Sequence, residues 1–185
     1  MQITITTNQI LKVLEILSWI IFIGLCVEAG AIAFNMFFTL VINPKSVENF
    51  WEGRDYLSAL HGHDIGHFFA VTFIMLIVAV LKAIMFYLIL RLFLKKKIDL
   101  SRPFSPEFQR FLSILAFLTL GIGFFCNYGK NYSGWLATQG VERPDLDVLH
   151  LAGGDVWFFM TVILFVIAQV VRKGVDMQTE NDLTI

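Results

Sequence analysis

Four stretches of the chain are almost continuously apolar: Ile10 to Ile42, Phe68 to Leu94, Phe108 to Tyr128 and Val156 to Val171. A helix rises about 1.5 Å per residue and a bilayer's hydrocarbon core is about 30 Å thick, so about 20 apolar residues make one crossing. The fourth stretch is short by that rule and borrows from Leu149 to Gly154 to complete its crossing. The first is too long. Its start sets Lys12 and Glu15 among Ile10, Leu11, Val13, Leu14, Ile16 and Leu17, a pattern suited to an amphipathic turn near the interface. The predicted spans are therefore 14–42, 68–94, 108–128 and 152–171, with a tail over 172–185.

Small residues Ala29, Gly30 and Ala31 suggest a cleavable leader, but the apolar run continues through Phe34 to Ile42 and only Lys12 precedes it as a base. An uncleaved span is expected. Basic residues set the orientation. The connection after the second span carries Arg91, Lys95, Lys96, Lys97, Arg102 and Arg110, and Arg172 and Lys173 follow the fourth. The other two connections, Asn43 to His67 and Asn127 to Asp155, offset their few bases with acids. Both termini are expected in the cytoplasm, with these two long loops outside.

The hinge Ser101-Arg102-Pro103-Phe104-Ser105-Pro106-Glu107 places Pro106 at a first helical position and Ser105 as the N-cap of the third span. Without an internal repeat or a flexible linker, residues 1–185 read as one domain: an all-α integral membrane four-helix bundle. Composition agrees, with 57% hydrophobic and 16% charged residues against about 45–50% and about 25% in soluble domains. That excludes an ordinary soluble enzyme, a disordered chain and a disulfide scaffold. A net charge of -1 offers nothing to attract nucleic acid directly.

Candidate chemistry lies in two places. His61, His63, His67 and His150 all fall in the outer loops or at their borders. His63 and His67 are four apart, which would align two imidazoles on one helical face, and Asp64, Asp147 or Asp155 could complete a site for zinc or a similar divalent metal. The plainer reading is polar residues at a membrane border, and Gly62 and Gly66 weaken the helix that the spacing assumes. The second place is inside the spans, where charge is costly and marks function. Glu28 lies about 14 residues from the cytoplasmic border of its helix and Lys82 about 13 from that of the next, so both sit roughly 20 Å deep. An ion pair between Glu28 and Lys82 is predicted, either as a structural register pair or as part of an ion path.

Cys26 and Cys126 are expected at different depths, which disfavours a disulfide. Phe50, Trp51, Tyr56, Tyr128, Tyr132 and Trp135 suit an interfacial aromatic belt. The segment Lys45 to Leu60 alternates charge with apolar residues and predicts a short interfacial helix covering the bundle, or else the mouth of a lipophilic site. No phosphate loop, nucleophile elbow, HExxH or pair of catalytic carboxylates is present, so no enzymatic activity is expected.

The tail runs Arg172-Lys173-Gly174, then an amphipathic stretch, then Glu180-Asn181-Asp182-Leu183-Thr184-Ile185. It resembles the ending of a bacterial membrane family filed as domain of unknown function 2975, and Arg102-Pro103-Phe104-Ser105 is similar to the Pro-Phe-Ser turn that opens that family's third helix. The four-span layout matches as well, whereas the His cluster and the long first loop do not belong to the pattern. Family members are often encoded beside a small helix-turn-helix regulator. The resemblance thus implies a bacterial inner-membrane protein that engages a cytoplasmic DNA-binding partner, for which Arg102, Phe104, Glu180, Asn181, Asp182 and Leu183 are the candidate surface. The expected function is regulatory or sensory, with no cofactor. The alternative is metal binding or small-solute transport through the His cluster. The bilayer is the other partner implied, and self-association into a homo-oligomer is compatible with both readings.

Overall fold

A computed structural model of the chain describes residues 7–94 and 104–182, and within them every regular element is helical. Helix α1 (Thr7–Phe37) ends in a π-helical turn at Phe38–Ile42, and a 3-10 turn follows at Pro44–Asn49. The short helix α2 (Arg54–His63) then leads into α3 (Ile65–Leu94), α4 (Pro106–Thr138) and α5 (Gly154–Asp182). Helices α1, α3, α4 and α5 are each long and apolar enough to cross a membrane. The element predicted between Lys45 and Leu60 exists as α2, displaced toward the C-terminus of that segment.

The four long helices pack in chain order. Contacts run mainly between α1 and α3, α3 and α4, and α4 and α5, so α3 and α4 are central while α1 and α5 stand at the edges. Edge helices in lipid need no hydrophobic partner, because acyl chains are as apolar as leucine; association rests on close packing and hydrogen bonds. The α4–α5 pair uses both. A Cβ on Gly123 would lie 3.2 Å from the Gly154 carbonyl oxygen, and one on Gly154 would lie 3.2 Å from the Asn127 backbone nitrogen. Deeper along the same interface, the buried Thr161 hydroxyl donates to the Thr119 hydroxyl at 3.0 Å.

Ser105 caps α4 as its sequence predicts, accepting from the Phe108 amide at 3.2 Å. The far end of α4 differs from expectation. The helix runs ten residues past Tyr128, through a stretch assigned to a loop because Asn127, Lys130 and Asn131 break its hydropathy. It persists because Cys126, Gly129, Ser133 and Leu136 form a buried stripe at helical spacing.

What that stripe buries is the loop over 139–153, which folds back between the helices. Leu149 and Leu151 are fully buried, and Leu151 fits so closely on Gly129 that a Cβ there would meet its Cδ1 at 2.8 Å. Irregular backbone among apolar helices must satisfy its own polar groups. Here the His150 amide donates to the Asp147 carbonyl at 3.0 Å and the Leu151 amide to the Leu146 carbonyl at 2.9 Å. At the opposite end of the molecule, the Phe104 ring rests on Gly174, where a Cβ would fall 2.5 Å from the ring. The two segments that carry the family resemblance, hinge and tail, therefore touch.

Candidate functional site

The returning loop delivers His150 to the side of α1, with its backbone in the left-handed region at φ 55°. It is the one non-glycine residue with positive φ among the described residues, a conformation that histidine adopts at a cost. Its ring is held between two carboxylates. Nε2 lies 2.7 Å from Glu52 Oε2, in the link before α2, and Nδ1 lies 3.6 Å from Glu28 Oε1, in α1. Lys82, from α3, donates to the His150 carbonyl at 3.4 Å.

Glu28 and Lys82 thus meet at one residue without pairing directly, which corrects the predicted ion pair. The returning loop enters between them, and Glu28 takes the ring of His150 while Lys82 takes its carbonyl. The reason is local. Lys82 answers a carbonyl that no helix can satisfy, and Glu28 faces the imidazole. At 3.6 Å the Glu28 contact is beyond hydrogen-bond reach, and its Oε1 atom is buried without a donor. A carboxylate in that position is expensive unless a cation stands close by.

Beside this cluster a cavity of about 440 Å³ opens between α1 and the loops. Val27, Ala31 and Ile32 of α1 line one wall, and Phe50, Trp51 and Met75 line the other. Glu28, Glu52 and His150 supply its polar surface together with Asn35, whose amide donates to the Asn49 carbonyl at 3.4 Å. Trp51 stands at the rim, 93% exposed.

The remaining histidines do not join this group. Asp64 breaks the helix that their spacing assumed: it caps α3 by accepting from the His67 amide at 2.9 Å, so His63 ends α2 while His67 lies in the first turn of α3. His67 Nδ1 is 2.8 Å from the Tyr132 hydroxyl, and the His61 ring meets Phe68 edge-on at 5.1 Å. Among the described residues no three His, Cys, Asp or Glu side chains are placed to hold one metal ion. The set His61, His63, His67, Asp64 and His150 is therefore dispersed. Asp64 itself has its pKa lowered, chiefly by the His67 N–H that its carboxylate accepts.

The aromatic belt is also redrawn. Tyr128, Tyr132 and Trp135 do stack in a row along α4, with ring centroids 6.1 and 5.8 Å apart, but Phe50 and Tyr56 are buried in the core. Cys126 is buried and Cys26 exposed, and both are free thiols. At the hinge and tail, Phe104 is partly exposed over Gly174 and Glu180 lies in the last turns of α5. Asn181 and Asp182 continue that helix, while Arg102 and Leu183 lie outside the described residues.

Residues 41–185 match the family model described as protein of unknown function, DUF2975. The chain belongs to this family. Its DUF2975 segment takes in α2 to α5, the returning loop, the hinge and the tail, and therefore Glu52, Lys82 and His150. Helix α1, with Glu28, precedes it. No curated protein and no solved structure matches this DUF2975 protein.

Sequence reasoning found Glu28 with Lys82, and His150 apart from them, but missed Glu52 and the convergence of all four. One signal was available: a lone histidine beside Gly153-Gly154 in a long loop can take a turn conformation that carries it back among the helices.

Proposed function

We propose that this DUF2975 protein is a sensory or regulatory component of the bacterial inner membrane, whose outward half receives a signal and whose cytoplasmic hinge and tail engage a soluble partner. The observation that carries the reading is His150: a protonatable ring in a costly backbone conformation, between carboxylates from α1 and the α2 link, with its carbonyl on Lys82 of α3. Polar groups kept at such expense among apolar helices default to function. A proton or ligand that changes the charge here changes the attraction among three separate elements. The output surface follows from the packing of Phe104 on Gly174, which joins the start of α4 to the end of α5. The resemblance to a family often encoded beside a small helix-turn-helix regulator supports a DNA-binding protein as the partner.

The test is co-purification from native membranes in mild detergent. The full chain, a chain ending at Lys173, and the full chain carrying His150→Ala are compared. Retention of a small DNA-binding protein by the full chain alone, and a changed yield of it with His150→Ala, is the expected result. Identical profiles from the full and shortened chains would end the tail hypothesis.

A further inference from the structure

We infer that the cavity between α1 and the returning loop binds a lipophilic ammonium, that is, a single cationic nitrogen carried on an apolar chain. The inference names the ligand class for the site proposed above and rests on that reading only for its biological purpose; the binding itself stands on the cavity.

Charge points to the class first. Facing His150 are Glu28 from α1, Glu52 from the link before α2 and Lys82 from α3. With a neutral imidazole these amount to two anions against one cation, and the cation is turned to the carbonyl of His150 rather than to the cavity. One positive charge is wanting. A cationic ligand can supply it from the cavity.

Geometry excludes a metal ion as that cation. The imidazole ring lies between the carboxylates, one against each nitrogen, so the three do not converge on a common centre. The rest of the lining is mostly apolar and has no further oxygen cage of the kind hard cations require. An ammonium needs neither. Its N–H groups donate to a single carboxylate, and the carboxylates of Glu28 and Glu52 both line the cavity with 23% and 46% of their side chains accessible. The exposed ring of Trp51 at the rim offers a cation–π contact on the way in. Val27, Ala31 and Ile32 then give an apolar track along α1 for the chain, on a helix face that in a bilayer meets acyl chains. The volume falls at the low end of ordinary ligand sites, enough for a headgroup and the first part of a chain.

Two sources share this chemistry: a membrane lipid with an ammonium headgroup and a free amphiphilic amine. The purified full chain is placed in nanodiscs of phosphatidylglycerol, and Trp51 fluorescence is followed as the difference between wild type and Trp51→Phe. A bromo-alkylamine is the quencher, and a bromo-alkanol of the same length is the control. Saturable quenching by the amine alone is expected, weakened about tenfold by Glu28→Gln with Glu52→Gln, the scale of one lost charge-assisted hydrogen bond. Including phosphatidylethanolamine in the discs should shift the titration if the lipid is the source, and leave it unchanged if a free amine is. Equal quenching by amine and alcohol, or a double variant that quenches as wild type does, overturns the inference. Binding without a tail-dependent partner would remove the regulatory reading and keep the site; a tail-dependent partner without amine binding would do the reverse. Should the double variant elute as aggregate, Glu52→Gln alone, at a half-exposed position, carries the comparison.

Discussion

Replacing His150 by alanine and by glycine separates two quantities that the wild-type structure combines. Alanine removes the ring and keeps the demand for a left-handed backbone at φ 55°; glycine removes the ring and the demand together. The ring's 2.7 Å contact to Glu52 joins side chains 38% and 46% exposed, so solvent screening limits it to about 0.5 kcal/mol. The longer contact to Glu28, with that carboxylate only 23% exposed, contributes up to about 1 kcal/mol. His150→Ala should then destabilise by about 1–2 kcal/mol. Glycine adopts the left-handed region freely, and His150→Gly should recover about 1 kcal/mol of that loss. Reversible unfolding in mixed micelles of increasing sodium dodecyl sulfate fraction, read by tryptophan fluorescence, measures both. Should glycine prove no more stable than alanine, no strain is stored at this turn. An alanine variant as stable as wild type would mean that the two carboxylates do not depend on the ring.

Three further outcomes follow from the packing. Gly123→Leu should force α4 from α5, because the new side chain meets the Gly154 carbonyl and the Phe158 ring; overpacking of this kind costs about 1–3 kcal/mol, and an unchanged unfolding midpoint would refute the close approach. Gly174→Ala should destabilise the hinge end by displacing Phe104, and adding Phe104→Ala should restore part of the loss; strictly additive losses would show that the ring does not rest there. Asp64→Ala should fray the start of α3 in hydrogen exchange, while Asp64→Asn preserves the cap. Because the folded pKa of Asp64 is lowered, its contribution is fully present above its ordinary value of 3.8 and is lost as pH falls through the lower folded value. Protection that grows on acidification would contradict the assignment.

The spans were legible because a bilayer imposes a length on apolar runs, and Ser105 was legible because a cap is a local event. The helix α4 was read ten residues short for the opposite reason. Its last turns are held by the returning loop, and that support has no hydropathy signature. Spacing misled at His63 and His67, since a four-residue interval implies a shared face only if the helix is continuous, and Asp64 interrupts it. The polar cluster was hidden by distance along the chain. Glu52 is 98 residues from His150 and Lys82 is 68, and no periodicity links such positions. Depth counting brought Glu28 and Lys82 level, yet it could not reveal that a third residue would descend between them.

Helix α1 has one principal neighbour, α3. A bilayer that thins or thickens asks every helix crossing it to change its tilt, and the helix with the fewest lateral contacts yields most. Helices α3, α4 and α5 are fastened by glycine contacts, a hydroxyl pair and the Phe104 ring; α1 instead meets α3 through side chains such as the Phe22 ring on Tyr87. Where a lipid is the source of the ammonium, the length of its tails then sets the separation of Glu28 from His150, and with it how wide the cavity stands.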